Sequence, residues 1–193
     1  MGEFSSGQFH GYLDQHLLIA MPGMLDPNFE RSVTLMCQHS EEGAIGITIN
    51  KLSKFTVGEV LEQLGIECRD RALSDAPVLQ GGPVNTDRGF VLHTPMPGFE
   101  SSLEISSEIM VTTSRDVLVA IAEGEGPEQF LVALGYAGWG DGQLESELRD
   151  HAWLSVPVDR AIVFDLPLKD RWQEAVSKLG VELHHLHGAG GSA

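Results

Sequence analysis

"SVTLMCQHSEEGAIGITIN", residues 32 to 50, sets two apolar segments on either side of a short polar connection. Ser32 to Gln38 and Gly43 to Asn50 are each about a strand long, and the SEEG-type link between them carries turn chemistry, so the stretch reads as a β-hairpin. A hairpin pairs its strands antiparallel, which sets the expectation for the rest of the sheet. Upstream, HLLIAM (His16 to Met21) is a compact apolar run halted by Pro22 and Gly23, the pattern of a buried strand, and Asp26-Pro27-Asn28 supplies a turn before the hairpin. Downstream, Thr56-Val57-Gly58-Glu59 has the spacing of a capping box and Gly65 stands where a helix C-cap belongs, so Val57 to Leu64 is expected to be helical.

Short strands and helices alternate to the end of the chain. PVLQGGPV and RGFVLHT are expected to form a second hairpin, turning through Asn85, Thr86 and Asp87. Leu103 to Ile105, Ile109 to Thr112 and Phe130 to Leu134 read as strands, and Ser114 to Ala122 as a helix with Val117, Leu118 and Ile121 on one face. After a glycine-rich loop from Gly135, a helix is expected over Gln143 to Asp150 with Asp141 as its N-cap, then strands in AWLSVPV and AIVFDL. The last helix runs from Asp170 to Leu179 and is closed by Gly180. This order predicts an α+β fold: a single domain with a mixed, largely antiparallel sheet curled toward a barrel and flanking helices, a doubly wound sheet being the alternative. Residues 1–15 are expected to be a flexible N-terminal segment, 16–187 the domain, and 188–193 a flexible tail.

Charge restricts the partners. Twelve Lys and Arg stand against 28 Asp and Glu, a formal net charge of −16, and no basic run interleaved with aromatics offsets it. Affinity for a nucleic acid comes largely from cations replacing the counterions of phosphates, so nucleic acid is an unfavourable partner. No window approaches the roughly 18 apolar residues of a membrane span, and the first residues lack the basic and apolar regions of a secretory leader, which points to a cytoplasmic protein with no membrane partner. Cys37 and Cys68 have no C-x-x-C spacing, and no metal or other cofactor is implied.

Three stretches hold the candidate chemistry. In GYAGWGDGQLESEL (Gly135 to Leu148), Gly138, Gly140 and Gly142 alternate, which matches neither dinucleotide nor P-loop fingerprints; close packing beside Trp139 is the simpler role. In the second stretch, Gly81, Gly82, Asn85, Asp87, Arg88 and His93 combine a flexible backbone with an anion-pairing guanidinium and a group that titrates near neutrality. With Tyr136 and Trp139 they make a candidate ligand-binding surface joining the two glycine-rich stretches. The first stretch offers Asp26, Asn28, Glu30 and Arg31, then Cys37 and His39, which strand alternation sets on one face; inert packing is the favoured reading of the cysteine. His184, His185 and His187 cluster beside glycines and suit adventitious metal capture only, while Ser32, Ser114 and Ser155 lack a G-x-S-x-G elbow.

The stretches LLIAMPGMLDPNFERSVTLMCQHSEEGAIGITINK (Leu17 to Lys51), GGPVNTDRGFVLH (Gly81 to His93) and ALGYAGWGDGQLESEL (Ala133 to Leu148) resemble, in order and spacing, the signature blocks of the YqgE/AlgH family. AWLSVP and FDLPLKDRWQEAVSKLG extend the similarity from about His16 to the C-terminus. The resemblance implies a single α+β domain with a barrel-like mixed sheet and a bacterial, cytosolic origin. It assigns no chemistry and brings only a transcriptional-regulator label, which the charge balance and the lack of a DNA-binding motif oppose. The expected function is a non-enzymatic binding or regulatory domain for an unidentified small anionic ligand or protein partner. The enzyme alternative is a hydrolase or transferase using His93 with Asp87 or Cys37.

Overall fold

Two antiparallel strands, β2 (Val33–Ser40) and β3 (Gly43–Thr48), form the first hairpin as expected, with Glu41 and Glu42 at its tip. The computed structural model of the chain describes residues 12–24 and 26–180. β1 (His16–Ala20) lies beside β2 and is buried on both faces: Leu17 and Ile19 join one core, Leu18 and Ala20 another. A strand covered on both sides reads as an unbroken apolar run, which is why HLLIA does not alternate. β4 (Leu52–Thr56) leads into helix α1 (Val57–Gln63), whose N-cap Thr56 accepts a hydrogen bond from the Glu59 amide at 3.3 Å; Gly65 follows its end at φ +70°. A one-turn helix α2 (Arg71–Ser74), capped by Asp70, precedes β5 (Pro77–Gln80).

β6 (Val84–His93), β7 (Ser102–Ser106) and β8 (Ile109–Thr112) come next, then α3 (Arg115–Ala122) and the ten-residue β9 (Phe130–Trp139). Helix α4 (Gln143–Arg149), strand β10 (Trp153–Pro157), a wide π-type turn at Ala161–Asp165 and helix α5 (Leu168–Ser177) complete the described residues. The strands make one ten-stranded sheet in the order β10-β1-β2-β3-β9-β6-β8-β7, with β5 joining alongside β9 and β4 pairing with β5. All the pairs are antiparallel except β5 with β9. The end strands β10 and β7 do not pair, so the α+β sheet stays open instead of closing into a barrel.

β9 holds the two halves together. Its first half lies between β5 and β6, and its second half pairs with β3. The change of neighbour falls where β5 runs out at Gly81 and Gly82: the Gly81 amide donates to Leu134 O and its carbonyl accepts from the Thr48 amide, both at 2.8 Å. A Cβ on Gly81 would lie 2.3 Å from Gly135 O, one on Gly82 2.1 Å from the Tyr136 carbonyl carbon, and one on Gly135 2.4 Å from Gly82 O. Two backbone segments therefore meet where no side chain fits, and Gly135 also bends at φ +77°.

Four local expectations are corrected. PVLQGGPV and RGFVLHT do not form a hairpin, because β5 is taken up by β4 and β9; Asn85 has a turn-like φ of +44° but lies within an irregular stretch of β6. The first half of the glycine loop is strand, since Gly135 to Trp139 lie in β9, and the N-cap of α4 is Gly142 at φ +70°, not Asp141. AIVFDL is helical: the Asp159 carboxylate accepts from the Ala161 amide at 2.9 Å and starts the turn, which buries Ile162 and Val163. So short an apolar run has no period to tell strand from helix. Cys37 and His39 do not share a face, because a bulge between Met36 and Gln38 resets the alternation: Cys37 packs into the core with Leu35, and His39 meets Glu145 of α4. His184, His185 and His187 lie outside the described residues, as does most of segment 1–15. The described end of that segment is bonded to β2, with the Leu13 amide donating to His39 Nδ1 at 3.0 Å and Asp14 Oδ1 accepting from the His39 amide at 2.9 Å.

Gly135→Ala tests the crossing. The added Cβ brings left-handed strain of about 1–3 kcal/mol together with a backbone clash, so urea unfolding should show a loss of roughly 3 kcal/mol or more. Gly23→Ala, where a Cβ meets nothing within 4 Å, is the control and should fall within about 0.5 kcal/mol of wild type.

Candidate functional site

The helices flank one end of the sheet unevenly. α1 and α3 lie over the β4-β5-β9-β6-β8 half, sharing a core of Val57, Leu61, Val78, Val91, Val117, Leu118, Ile121 and Val132. Between them a cleft of about 700 Å³ remains, lined from α1 by Val60 and from the C-cap that follows it by Leu64, from α3 by Arg115 and Leu118, from β9 by Val132 and Leu134, and from β6 by Asp87, Gly89 and Phe90. β4 adds Leu52, Lys54 and Phe55. Among the described residues Leu52 and Leu64 are the exposed large hydrophobic ones, 58% and 42% accessible, and both belong to this rim.

Polar residues share the lining: Ser53, Gln63, Gln80, Thr112 and Thr113 face the cleft besides its charged groups. Lys54 holds its ammonium 5.6 Å from the centre of the Phe55 ring, and the Arg115 guanidinium donates to the Leu64 carbonyl oxygen at 3.1 Å, tying the start of α3 to the end of α1. Neither cation has a carboxylate within ion-pair distance among the described residues. Asp87 is exposed at the same cleft; Arg88, next to it, lays its guanidinium 5.3 Å from the centre of the Phe90 ring. Asn85 Nδ2 donates to the Tyr136 hydroxyl at 3.4 Å, and the Tyr136 ring stands edge-on to Phe90 at 5.9 Å.

The remaining predicted residues lie elsewhere. Gly81 and Gly82 are buried at the backbone crossing. Trp139 is 6% exposed among Leu18, Met36, Leu144 and Trp153, and its ring lies 5.8 Å from that of Trp153. His93 pairs with Phe130 at the opposite end of β9 from Trp139, about 30 Å away at roughly 3.3 Å per strand residue. Arg88, His93 and Trp139 therefore do not line one pocket.

His93 is fully buried, and both ring nitrogens are engaged. Nδ1 lies 2.8 Å from the Thr94 carbonyl, which only accepts, so Nδ1 carries the proton; Nε2 accepts from Thr112 Oγ1 at 2.7 Å, which in turn accepts from Ser102 Oγ at 2.7 Å. Burial lowers the His93 pKa, with the Thr94 carbonyl opposing the shift. Burial likewise pushes the Cys37 thiol up to about 12, so almost no thiolate exists near neutrality. His39 accepts at Nδ1 and donates from Nε2 to Glu145 Oε1 at 2.5 Å; burial raises the Glu145 carboxyl, but its hydrogen bonds, that from His39 included, outweigh this and hold it below the usual carboxylate range. The start of α4 is closed by its own chain, with Gln143 Oε1 accepting from the Gly140 amide at 3.0 Å.

Sequence reading missed Lys54, Arg115, Leu52, Leu64 and Gly89. One signal was available: a cation directly after the N-cap Ser114 is disfavoured by the helix dipole, so Arg115 has to be placed there by something other than helix stability.

An open, mostly antiparallel α+β sheet with a lateral cleft between two helices defines a single-domain protein of the AlgH type. The family model described as AlgH-like matches residues 17–184, and the chain belongs to that family. A UPF0301 protein of Xanthomonas campestris is 51% identical over 181 residues, covering 94% of this chain and 96% of the relative. One of Thioalkalivibrio sulfidiphilus is 54% identical over 176 residues, 91% and 94% of the two chains. The solution structure of the AlgH protein from Pseudomonas aeruginosa superposes with a TM-score of 0.79 at 48% identity over the whole of both chains. A crystal structure from Corynebacterium diphtheriae shares the fold, with a TM-score of 0.67 at 21% identity over 88% of each chain.

The His93 network predicts a pH dependence. Because the folded pKa lies below the unfolded value, the unfolded chain binds the extra proton, and stability falls as pH drops through about 6.5 toward the folded pKa. His93→Gln should be less stable near neutrality by about 1–3 kcal/mol for the broken network, and should lose less between about pH 7.5 and 5 than wild type does. Urea unfolding across that range measures both slopes; equal slopes would refute the assignment.

Proposed function

We propose that this protein is a cytoplasmic, non-enzymatic binding or regulatory domain whose ligand sits in the cleft between α1 and α3. The observation carrying this reading is the cleft itself: about 700 Å³, with the apolar Phe90, Val91, Val132 and Leu134 set among polar residues, and with Lys54 and Arg115, which have no ion pair among the described residues, at its edge. That volume falls within the usual range of small-molecule sites, and apolar walls with a few placed charges are their usual composition. The chemistry favours a small molecule with an apolar body and an anionic end. The exposed Leu52 and Leu64 would equally suit an apolar segment of a protein partner.

An enzyme built on His93 gains no support from this geometry. A general base needs a free nitrogen within reach of its substrate, and His93 is enclosed with both nitrogens bonded. Asp87 lies six residues along β6, about 20 Å away at strand spacing.

Gly89 gives a clean test. It lines the cleft, and a Cβ there meets nothing within 4 Å, so Gly89→Leu fills the site without displacing backbone. The variant should keep or gain up to about 1 kcal/mol of stability from reduced unfolded-state freedom. Decanoate should bind wild type saturably in a chemical-shift titration, bind the variant at least about tenfold more weakly, and outcompete decanol by a similar margin. Equal decanoate binding by both proteins, or none by wild type, would end the small-molecule form of the reading.

A further inference from the structure

A second pocket, of about 250 Å³, lies where the turn before β2 meets the end of β3 and the start of α5. Arg31, Lys51 and Lys169 line it together with Asn50, Trp172 and Gln173. Directly behind it Arg171 is 2% exposed, its guanidinium donating to the carbonyls of Ile49 and Leu166. Three of the chain's 12 Lys and Arg thus line one pocket with Trp172, and a fourth, Arg171, adjoins it in sequence, in a protein of net charge −16. None of the four has a carboxylate within ion-pair distance among the described residues, although Glu30, Asp170 and Glu174 are close in sequence. Arg31 and Lys169 are exposed and Lys51 half-buried, so their charges face the pocket opening, while the buried Arg171 is satisfied by carbonyl oxygens; no ion pair among the described residues neutralises the cluster.

The cations are also held in place. Arg31 sits in a left-handed backbone conformation, φ +50°, that a non-glycine residue adopts only when its surroundings enforce it. Asn50 enforces it: Nδ2 donates to the Arg31 carbonyl at 2.8 Å and Oδ1 accepts from the Val33 amide at 2.9 Å. Lys51 Nζ donates to the Glu30 carbonyl, and the Arg31 guanidinium stacks 5.3 Å from the centre of the Trp172 ring, itself anchored by its indole N–H to Ala20 O at 3.1 Å.

We propose that this pocket binds the phosphoryl group of a small phosphorylated molecule. A guanidinium fork, two ammonium groups and the Gln173 amide line the pocket and would together supply donors to a tetrahedral dianion, whereas a single carboxylate would leave most of the positive charge uncompensated. The pocket's size excludes a nucleic-acid backbone track. At physiological salt the screening length is about 8 Å, so acids beyond that range contribute little, and the local potential is set by the pocket's three cations against the nearby Glu30, Asp170 and Glu174. Burial lowers Arg171 to about 10, which leaves it charged at neutral pH.

The test is an NMR titration of the full chain at constant ionic strength, following the Trp172 indole N–H, with inorganic phosphate, glycerol 3-phosphate and acetate as probes. Both phosphates should shift the signal saturably, with dissociation constants on the order of 1 mM, and acetate should not. The double variant Lys51→Gln, Lys169→Gln should bind about tenfold or more weakly, while Arg71→Gln, whose cation lies on exposed α2 beside Asp75, should bind as wild type does. A shift that never saturates, that acetate reproduces, or that survives in the double variant would overturn the proposal.

Discussion

Where Gly81 and Gly82 cross Gly135, two backbone segments approach so closely that an added Cβ at any of the three glycines would come within 2.4 Å of a main-chain atom. That approach lets β9 exchange β5 for β3 as its neighbour without leaving amides unpaired: the Gly81 amide and carbonyl bond to Leu134 and Thr48 on either side. Without it the chain would hold two small sheets, each with an exposed edge, instead of one continuous ten-stranded sheet. The two faces of β1, the separate cores beneath α5 and α4, and the placement of α1 and α3 over the other half of the sheet all follow from that continuity.

The cleft is a consequence of how that sheet is covered. α1 and α3 are short, seven and eight residues, and are joined at their near ends by Arg115 reaching the Leu64 carbonyl, while the floor between them is left to Phe90, Val132 and Leu134. Buried apolar area stabilises the domain roughly in proportion to its extent, so an apolar floor left open forgoes stabilisation that a bulkier residue at Gly89 would recover. Functional clefts commonly carry that kind of deficit.

Electrostatics divides the surface more sharply than the net charge suggests. His39 and Glu145 form a pair fixed by the Leu13 amide, and Lys178 pairs with Asp159. Of the cations without an ion pair among the described residues, Lys54 and Arg115 line the cleft between α1 and α3, and Arg31, Lys51 and Lys169 line the pocket at Trp172. The net charge of −16 is a sum over the whole chain, and short-range screening lets a few clustered cations act locally despite it.

The sequence by itself determined the elements whose signals are local: the hairpin at residues 32–50, the Thr56 cap of α1, the apolar face of α3, the α+β class and, through its signature blocks, the family. These depend on turn chemistry, capping and periodicity, which neighbouring residues carry. Only the tertiary structure decided that β5 pairs with β4 and β9 and not β6, that the Cys37 bulge separates it from His39, and that AIVFDL winds into a turn. It also decided which candidates share a site. Asp87 reached the cleft, with Arg88 stacked on the Phe90 that lines it, but His93 and Trp139 were drawn into separate cores; Lys54, Arg115 and Gly89 took their places at the cleft, and Arg31, Lys51 and Lys169 gathered at the second pocket. The physical reason is distance along the chain. Strand partners and pocket walls are chosen by the packing of segments tens of residues apart, and no local pattern records which distant strand offers an unpaired edge.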